Sequence, residues 1–224
     1  MGIKDIIYRL YSFLRHPGYS RGGNIVFLSR IKNAGGNSFA PEGSVFKSST
    51  VAFQGEGNTI EANNCFLHSC NILLRGEGHK LIMDEGVKLL NLRIKIIGRN
   101  NTVHIGKNSS FDRGNIISGG IGTMVEVGED CMFAEGVDIW STDTHSVTEG
   151  GSLVNPPKSI TIGNHVWVGK DVAILKGVTI GDDAVIGMRS LVTKDILPGT
   201  LNAGSPSRQL REGISWNLDN PDNA

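Results

Sequence analysis

From Ile162 onward an aliphatic residue recurs at every sixth position: Ile162, Val168, Ile174, Ile180, Ile186 and Val192. A hexapeptide period is the signature of a parallel β-helix, in which three short strands make one coil and coils stack at the spacing of neighbouring strands. The second positions are mostly glycine (Gly163, Gly169, Gly181 and Gly187, with Leu175 and Thr193 as the exceptions), which predicts corners with unusual backbone angles. The fifth positions, Val166, Val172, Val178, Ala184, Ser190 and Ile196, are small or slim, as a narrow three-sided interior requires. The same beat runs through Val127, Gly128, Cys131, Phe133 and Ile139, stops there, and resumes near Ile160. Residues 141–159 contain Gly150, Gly151, Pro156 and Pro157 and no aliphatic period, so they are expected to leave the body as a surface loop.

Upstream, Gly55-Glu56-Gly57-Asn58, Gly76-Glu77-Gly78-His79 and Gly98-Arg99-Asn100-Asn101 form a looser repeat. Their spacing, 21 and then 22 residues, slightly exceeds three hexads and predicts coils with extra turn residues. At the N-terminus Ile3, Ile6, Ile7, Leu10, Phe13 and Leu14 fall at helical spacing among Lys4, Asp5, Arg9 and Ser12, before Pro17-Gly18. This amphipathic helix is expected to cap an open end of the coils or pack on a neighbouring subunit; its second reading is peripheral membrane contact through residues 2–15. The chain therefore divides into the helix (1–20), irregular coils (21–110), regular hexapeptide coils (111–207, with the loop 141–159) and a C-terminal tail (208–224). An all-β body is expected, with stacking continuous through residue 110.

With 22 basic and 22 acidic residues the formal charge is zero, so no broad cationic field suits nucleic acid. Cys65, Cys70 and Cys131 are odd in number and form no CxxC pair, which points to a reduced compartment. No apolar run reaches the roughly 18 residues of a membrane span, and no signal-peptide core opens the sequence. The expected location is cytoplasmic, membrane-peripheral if the helix binds lipid.

Of six histidines (His16, His68, His79, His104, His145 and His165), only His145 lies in the interruption, within Ser141-Thr142-Asp143-Thr144-His145-Ser146. A loop imidazole with a free ring nitrogen suits removal of a proton from an alcohol. Asp143, two residues earlier, is placed to orient that ring or stabilise its protonated form. The other histidines lack a second ligand at metal spacing and are assigned structural, surface or solvated roles. The intervals of 52, 11, 25, 41 and 20 residues supply no close pair for a zinc site of the β-helical carbonic anhydrase type, so no metal is expected.

The stretch Val125–Arg211 carries the hexads, Asp143-Thr144-His145, Val166-Trp167-Val168-Gly169, Ile180-Gly181-Asp182-Asp183-Ala184-Val185-Ile186-Gly187, Val192-Thr193-Lys194-Asp195-Ile196 and Ala203-Gly204-Ser205-Pro206-Ser207-Arg208. It resembles the left-handed β-helix hexapeptide-repeat acyltransferases, above all the maltose and galactoside and the capsule and lipopolysaccharide O-acetyltransferases. The resemblance implies a homotrimer with active sites between neighbouring β-helices and acetyl-CoA as donor. It implies His145 as general base on a carbohydrate hydroxyl and Trp167 lining the site from the adjacent subunit. CoA contacts would fall on Lys170, Met188, Thr193, Lys194 and Arg208; Lys170 and Met188 stand where small residues are common. Serine, amino-sugar and antibiotic acetyltransferases share the body and remain alternatives, as does a non-catalytic scaffold.

Overall fold

In a computed structural model, residues 4, 6–9, 11 and 23–219 are described. Three parallel sheets form the faces of one β-helix, and every coil contributes one strand to each. The first face runs from Ile25–Phe27 through Phe66–His68, Lys88–Leu90 and Trp167–Val168 to Val185–Ile186. The second runs from Arg30–Lys32 to Leu191–Val192, and the third from Ser38–Ala40 to Thr179–Ile180, with Ile196 bridged to Ile180 beyond it. The register Lys88↔Ser110↔Met132 carries the stacking straight through residue 110.

The hexad residues point to the axis in columns. Ile162, Val168, Ile174, Ile180, Ile186 and Val192 are all at most 1% exposed, because each pairs with an aliphatic one coil away. Bulkier Phe111 and Phe133 stack in parallel on the first face, 3.9 Å between ring centroids. The reason for the second-position glycines differs from the expectation. Gly163, Gly169, Gly181 and Gly187 do not have positive φ; the left-handed corner falls two residues later, on His165, Asp171, Asp183 and Arg189. Close approach demands the glycines instead. A Cβ on Gly169 would lie 2.8 Å from both the Ile186 oxygen and the Met188 nitrogen of the next coil, and one on Gly181 would lie 2.6 Å from Pro198.

The longer upstream coils spend their extra residues between the second and third faces. There the strands Asn71–Glu77, Leu92–Arg99 and Gly114–Ile121 run on for seven or eight residues, against three at Ala173–Leu175. The overhang is a ledge, and a buried polar ladder holds its return. The Asn58 N–H donates to Asn37 Oδ1 (3.0 Å), the His79 N–H to Asn58 Oδ1 (2.9 Å), the Asn101 N–H to His79 Nδ1 (3.3 Å) and the Thr123 N–H to Asn101 Oδ1 (2.8 Å). Burial holds the His79 pKa below its ordinary value, so the ring is neutral; Nδ1 accepts while Nε2–H donates to the Arg75 oxygen at 3.1 Å. Cys65, Cys70 and Cys131 occupy other interior corners as free thiols, and burial pushes each pKa up to about 11.

Lys4, Ile6–Arg9 and Tyr11 are helical, and the remainder of the expected helix, with His16, lies outside the described residues. Of the described helical residues, Tyr8 and Tyr11 pack beside the first face on Phe27, with ring centroids 4.2 and 5.0 Å away. At the other end Thr200–Ala203 adds to the first face, and Arg208–Glu212 pairs antiparallel with it, which halts further parallel stacking. Residues 208–212, expected to open a C-terminal tail, are thus part of the body. No helix among the described residues is long and apolar enough to cross a membrane.

On the third face His104 bridges two coils, with Nε2 2.9 Å from Asp84 and Nδ1 2.7 Å from Glu126. Burial alone would depress its pKa, but the two carboxylates outweigh burial and hold it above the ordinary histidine value. The stabilisation is fully present below about pH 6.5, the unfolded value, and is lost as pH rises through the raised folded value. Urea midpoints measured from pH 6 upward should therefore fall for the native protein more than for His104→Asn; parallel curves would show that the bridge contributes nothing.

Candidate active site

The strand Val137–Trp140 ends on the second face, and the chain returns to the body only at Ile160–Ile162. Between them the loop is anchored at its base by buried Ser141, whose hydroxyl oxygen accepts the Gly119 N–H at 3.1 Å, and carries a small hairpin, Thr148–Glu149 with Ser152–Leu153. It lies back over the ledge: a Cβ on Gly119 would lie 2.7 Å from Thr142, and one on Gly120 2.8 Å from Pro157. The result is an open cavity of about 370 Å³, walled on the ledge side by Arg75, Ile97, Gly98 and Gly120 and on the loop side by Thr142, His145 and Leu153. His145 is exposed on this wall, and among the described residues nothing hydrogen-bonds its ring nitrogens.

Asp143 does something other than orient that ring. Its carboxylate forms a short ion pair with Lys176 and accepts Asn155 Nδ2 at 2.7 Å, and the Lys176 ammonium beside it holds its pKa below the ordinary carboxylate value. Asn155 also donates to the His145 carbonyl (2.9 Å) and accepts the Val147 N–H (2.6 Å), while Lys176 Nζ donates to the Asn155 oxygen at 3.0 Å. Asp143, Asn155 and Lys176 thus fix the backbone that carries His145. The sequence reading missed Asn155 and Lys176, because an asparagine before two prolines and a corner lysine advertise nothing until the loop is folded.

Trp167 stands on the first face between Met132 and Val185, 38% exposed, and does not line the cavity of His145. The segment after Glu212 crosses beside it. Trp216 stacks on His165 (4.4 Å between centroids, 8° between planes), donates Nε1–H to the His165 oxygen (2.7 Å) and lies 6.0 Å from Trp167. His165 itself pairs with Asp183 at 2.8 Å. Trp216, Asn217 and Leu218 roof a second cavity of about 720 Å³ over Lys88, Ser110 and Met132.

The five residues expected to meet CoA fall in two places. Lys170 and exposed Met188 sit at successive corners between the first and second faces, where Lys170 reaches half-buried Glu135 at 2.9 Å and holds its carboxyl below the ordinary pKa, with Arg113 assisting. Lys194 and Arg208 line one cavity of about 360 Å³ at the C-terminal end, together with Asp195, Asn202 and Gln209, and exposed Thr193 precedes Lys194. Among the described residues no group of three or more His, Cys, Asp or Glu is placed to hold a metal.

Comparison with known proteins follows the same geography. Residues 159–194 match the bacterial transferase hexapeptide (six repeats) family. The galactoside O-acetyltransferase of Escherichia coli K12 is 44% identical over 91 residues, 39% of this chain and 44% of that protein. The polysialic acid O-acetyltransferase of Neisseria meningitidis is 34% identical over 126 residues, 55% of this chain and 58% of that protein. The chain thus spans about half the length of these curated relatives. Among solved structures, the polysialic acid O-acetyltransferase OatWY superposes over 89% of this chain and 94% of its own with a TM-score of 0.80 at 28% identity. The polySia-specific acetyltransferase NeuO gives 0.79 at 27%, over 87% and 90%. Hexad columns, loop excursion and superposition agree on the fold: this chain winds as a β-helix like the polysialic acid O-acetyltransferases, and its residues 159–194 match the hexapeptide transferase repeat.

Proposed function

We propose that this protein is an acetyl-CoA-dependent O-acetyltransferase that modifies a sugar or polysaccharide hydroxyl, working as a homotrimer with His145 as general base. The observation that carries the reading is the imidazole on the wall of the ledge cavity, with both ring nitrogens uncommitted and its backbone held by Asn155. In the reaction His145 takes the acceptor hydroxyl proton as the oxygen attacks the thioester carbonyl. A tetrahedral intermediate forms and collapses with cleavage of the C–S bond, and the imidazolium returns its proton to the leaving thiolate. Trp167, which does not line the cavity of its own His145, would complete the site of the neighbouring subunit. The relatives named as galactoside and polysialic acid O-acetyltransferases support the reaction class and the carbohydrate acceptor.

For the donor, the shared cavity of Lys194 and Arg208 suits the CoA phosphates, since charge-assisted hydrogen bonds from both would converge there. Lys194→Ala combined with Arg208→Ala is expected to raise the CoA dissociation constant about tenfold or more in titration calorimetry; unchanged affinity would reassign both to surface charge. The reading as a whole is tested by thiol release from acetyl-CoA across a panel of glycans, followed by mass spectrometry of the products. A gain of one acetyl group on a glycan is the expected result, and thiol release with serine or an amino sugar alone would replace the acceptor class.

A further inference from the structure

The formal charge of zero conceals a segregation of charge between faces. On the first four coils, the residues of the second face that alternate with its buried column include Arg30, Lys32, Arg75, Arg93, Lys95 and Arg99, six cations against the single carboxylate of Glu77. All except Lys95 are exposed, and Lys95 is half-buried. None of the six forms an ion pair among the described residues, although Lys107, Arg113, Lys170, Lys176 and Arg189 at the corners all do. The third face of the same coils carries Glu42, Glu61 and Asp84 around one cavity. Arg93 and Lys95 lie two residues apart on one strand, about 7 Å along it, with Arg75 on the strand beside them, so their like charges repel in the free protein and are stabilised when an anion lies along the face.

The row is aimed. Its upper edge opens into the cavity of His145, where Arg75, Ile97 and Gly98 form the wall, and Ile97 lies between Lys95 and Arg99 on the same strand. Below, register continues from Arg93 through Asn71 and Thr50 to Arg30, and from Lys95 through Leu73 and Ala52 to Lys32. A chain bearing a negative charge on each repeat could therefore place one sugar beside His145 while its preceding residues meet cations on three of the four coils, the uncharged strand Thr50–Gln54 lying between. A single neutral sugar would fill only the cavity.

We propose that the second face of the irregular coils is a binding track for an anionic polysaccharide acceptor, with Arg93 and Lys95 holding the polymer outside the catalytic cavity. The proposal rests on the O-acetyltransferase reading for its turnover assay but not for its binding assay. With the full chain, polymer binding is measured by fluorescence anisotropy without acetyl-CoA, using a carboxylated glycan, a phosphodiester-linked glycan, a neutral glycan and a single-stranded oligonucleotide. Binding of either anionic glycan, weakening with salt and lost by about tenfold or more in Arg93→Glu/Lys95→Glu, is expected; the two anionic arms identify carboxylate or phosphate as the recognised group. In turnover, the double variant should raise KM for that polymer with kcat unchanged, and leave transfer to a small neutral sugar as in the native protein. Equal binding of neutral glycan, tighter binding of the oligonucleotide, or dissociation of the oligomer by light scattering in the variant would each overturn the track. Loss of all thiol release with salt-sensitive glycan binding retained would overturn the transferase reading instead.

Discussion

His145→Ala is expected to lower kcat for acetyl transfer by about 10²–10⁴-fold, the span that a positioned general base contributes. The fold should be untouched, because the side chain is exposed on the cavity wall and the loop is held through the backbone carbonyl of His145 and through Asp143, Asn155 and Lys176. The acetyl-CoA dissociation constant should also stay unchanged, since the cations assigned to the donor lie at the C-terminal end. A single-turnover rate, unchanged circular dichroism and an unchanged CoA titration together separate loss of the base from loss of the site. Turnover within a factor of a few of the native rate would remove His145 from the chemistry.

Gly98→Ala should unfold the ledge. Gly98 has φ +107°, a conformation that L side chains rarely adopt, and an added Cβ would lie 2.0 Å from the Gly120 oxygen of the next coil. Backbone strain of about 1–3 kcal/mol adds to overpacking of similar size, so the expected loss is roughly 3–5 kcal/mol in urea unfolding. Gly122→Ala is the control: φ is +65° with nothing within 4 Å of the added atom, so only the left-handed conformation is disfavoured, by about 1–2 kcal/mol. Equal losses at the two positions would mean that the stacked carbonyl is not the cause. Because Gly98 also lines the His145 cavity, activity should fall with stability only in Gly98→Ala.

The hexads were legible because one side chain per strand must face the axis, so Ile162 to Val192 announce three faces without reference to any distant residue. The loop was legible for the converse reason, an absence of that beat between Ile139 and Ile160. What the sequence hid is whatever depends on the coil above or below. Gly169 looks like a corner glycine, yet its constraint is the Ile186 carbonyl. His79 read only as structural or solvated, yet its neighbours Asn58 and Asn101 come from coils 21 and 22 residues away. Asp143 two residues before His145 suggests a dyad, but Lys176 from the next coil offers a full positive charge and wins the carboxylate. Trp216 carried no signal at all, since only the folded tail lays it on His165.

The polar ladders have a direction. In the irregular coils a backbone N–H at each of the three corners donates to a side-chain acceptor on the preceding coil: His79 to Asn58, Cys65 to the Ser44 hydroxyl, and Cys70 to the Ser49 hydroxyl. In the regular coils the sense reverses: the Glu129, Asn164 and Thr179 amides donate to Asn164, Asp182 and Asp195 on the coil that follows. The first-made coils thus offer acceptors to what is wound after them, while the last-made coils complete amides already laid down, so neither end of the prism is finished without the other.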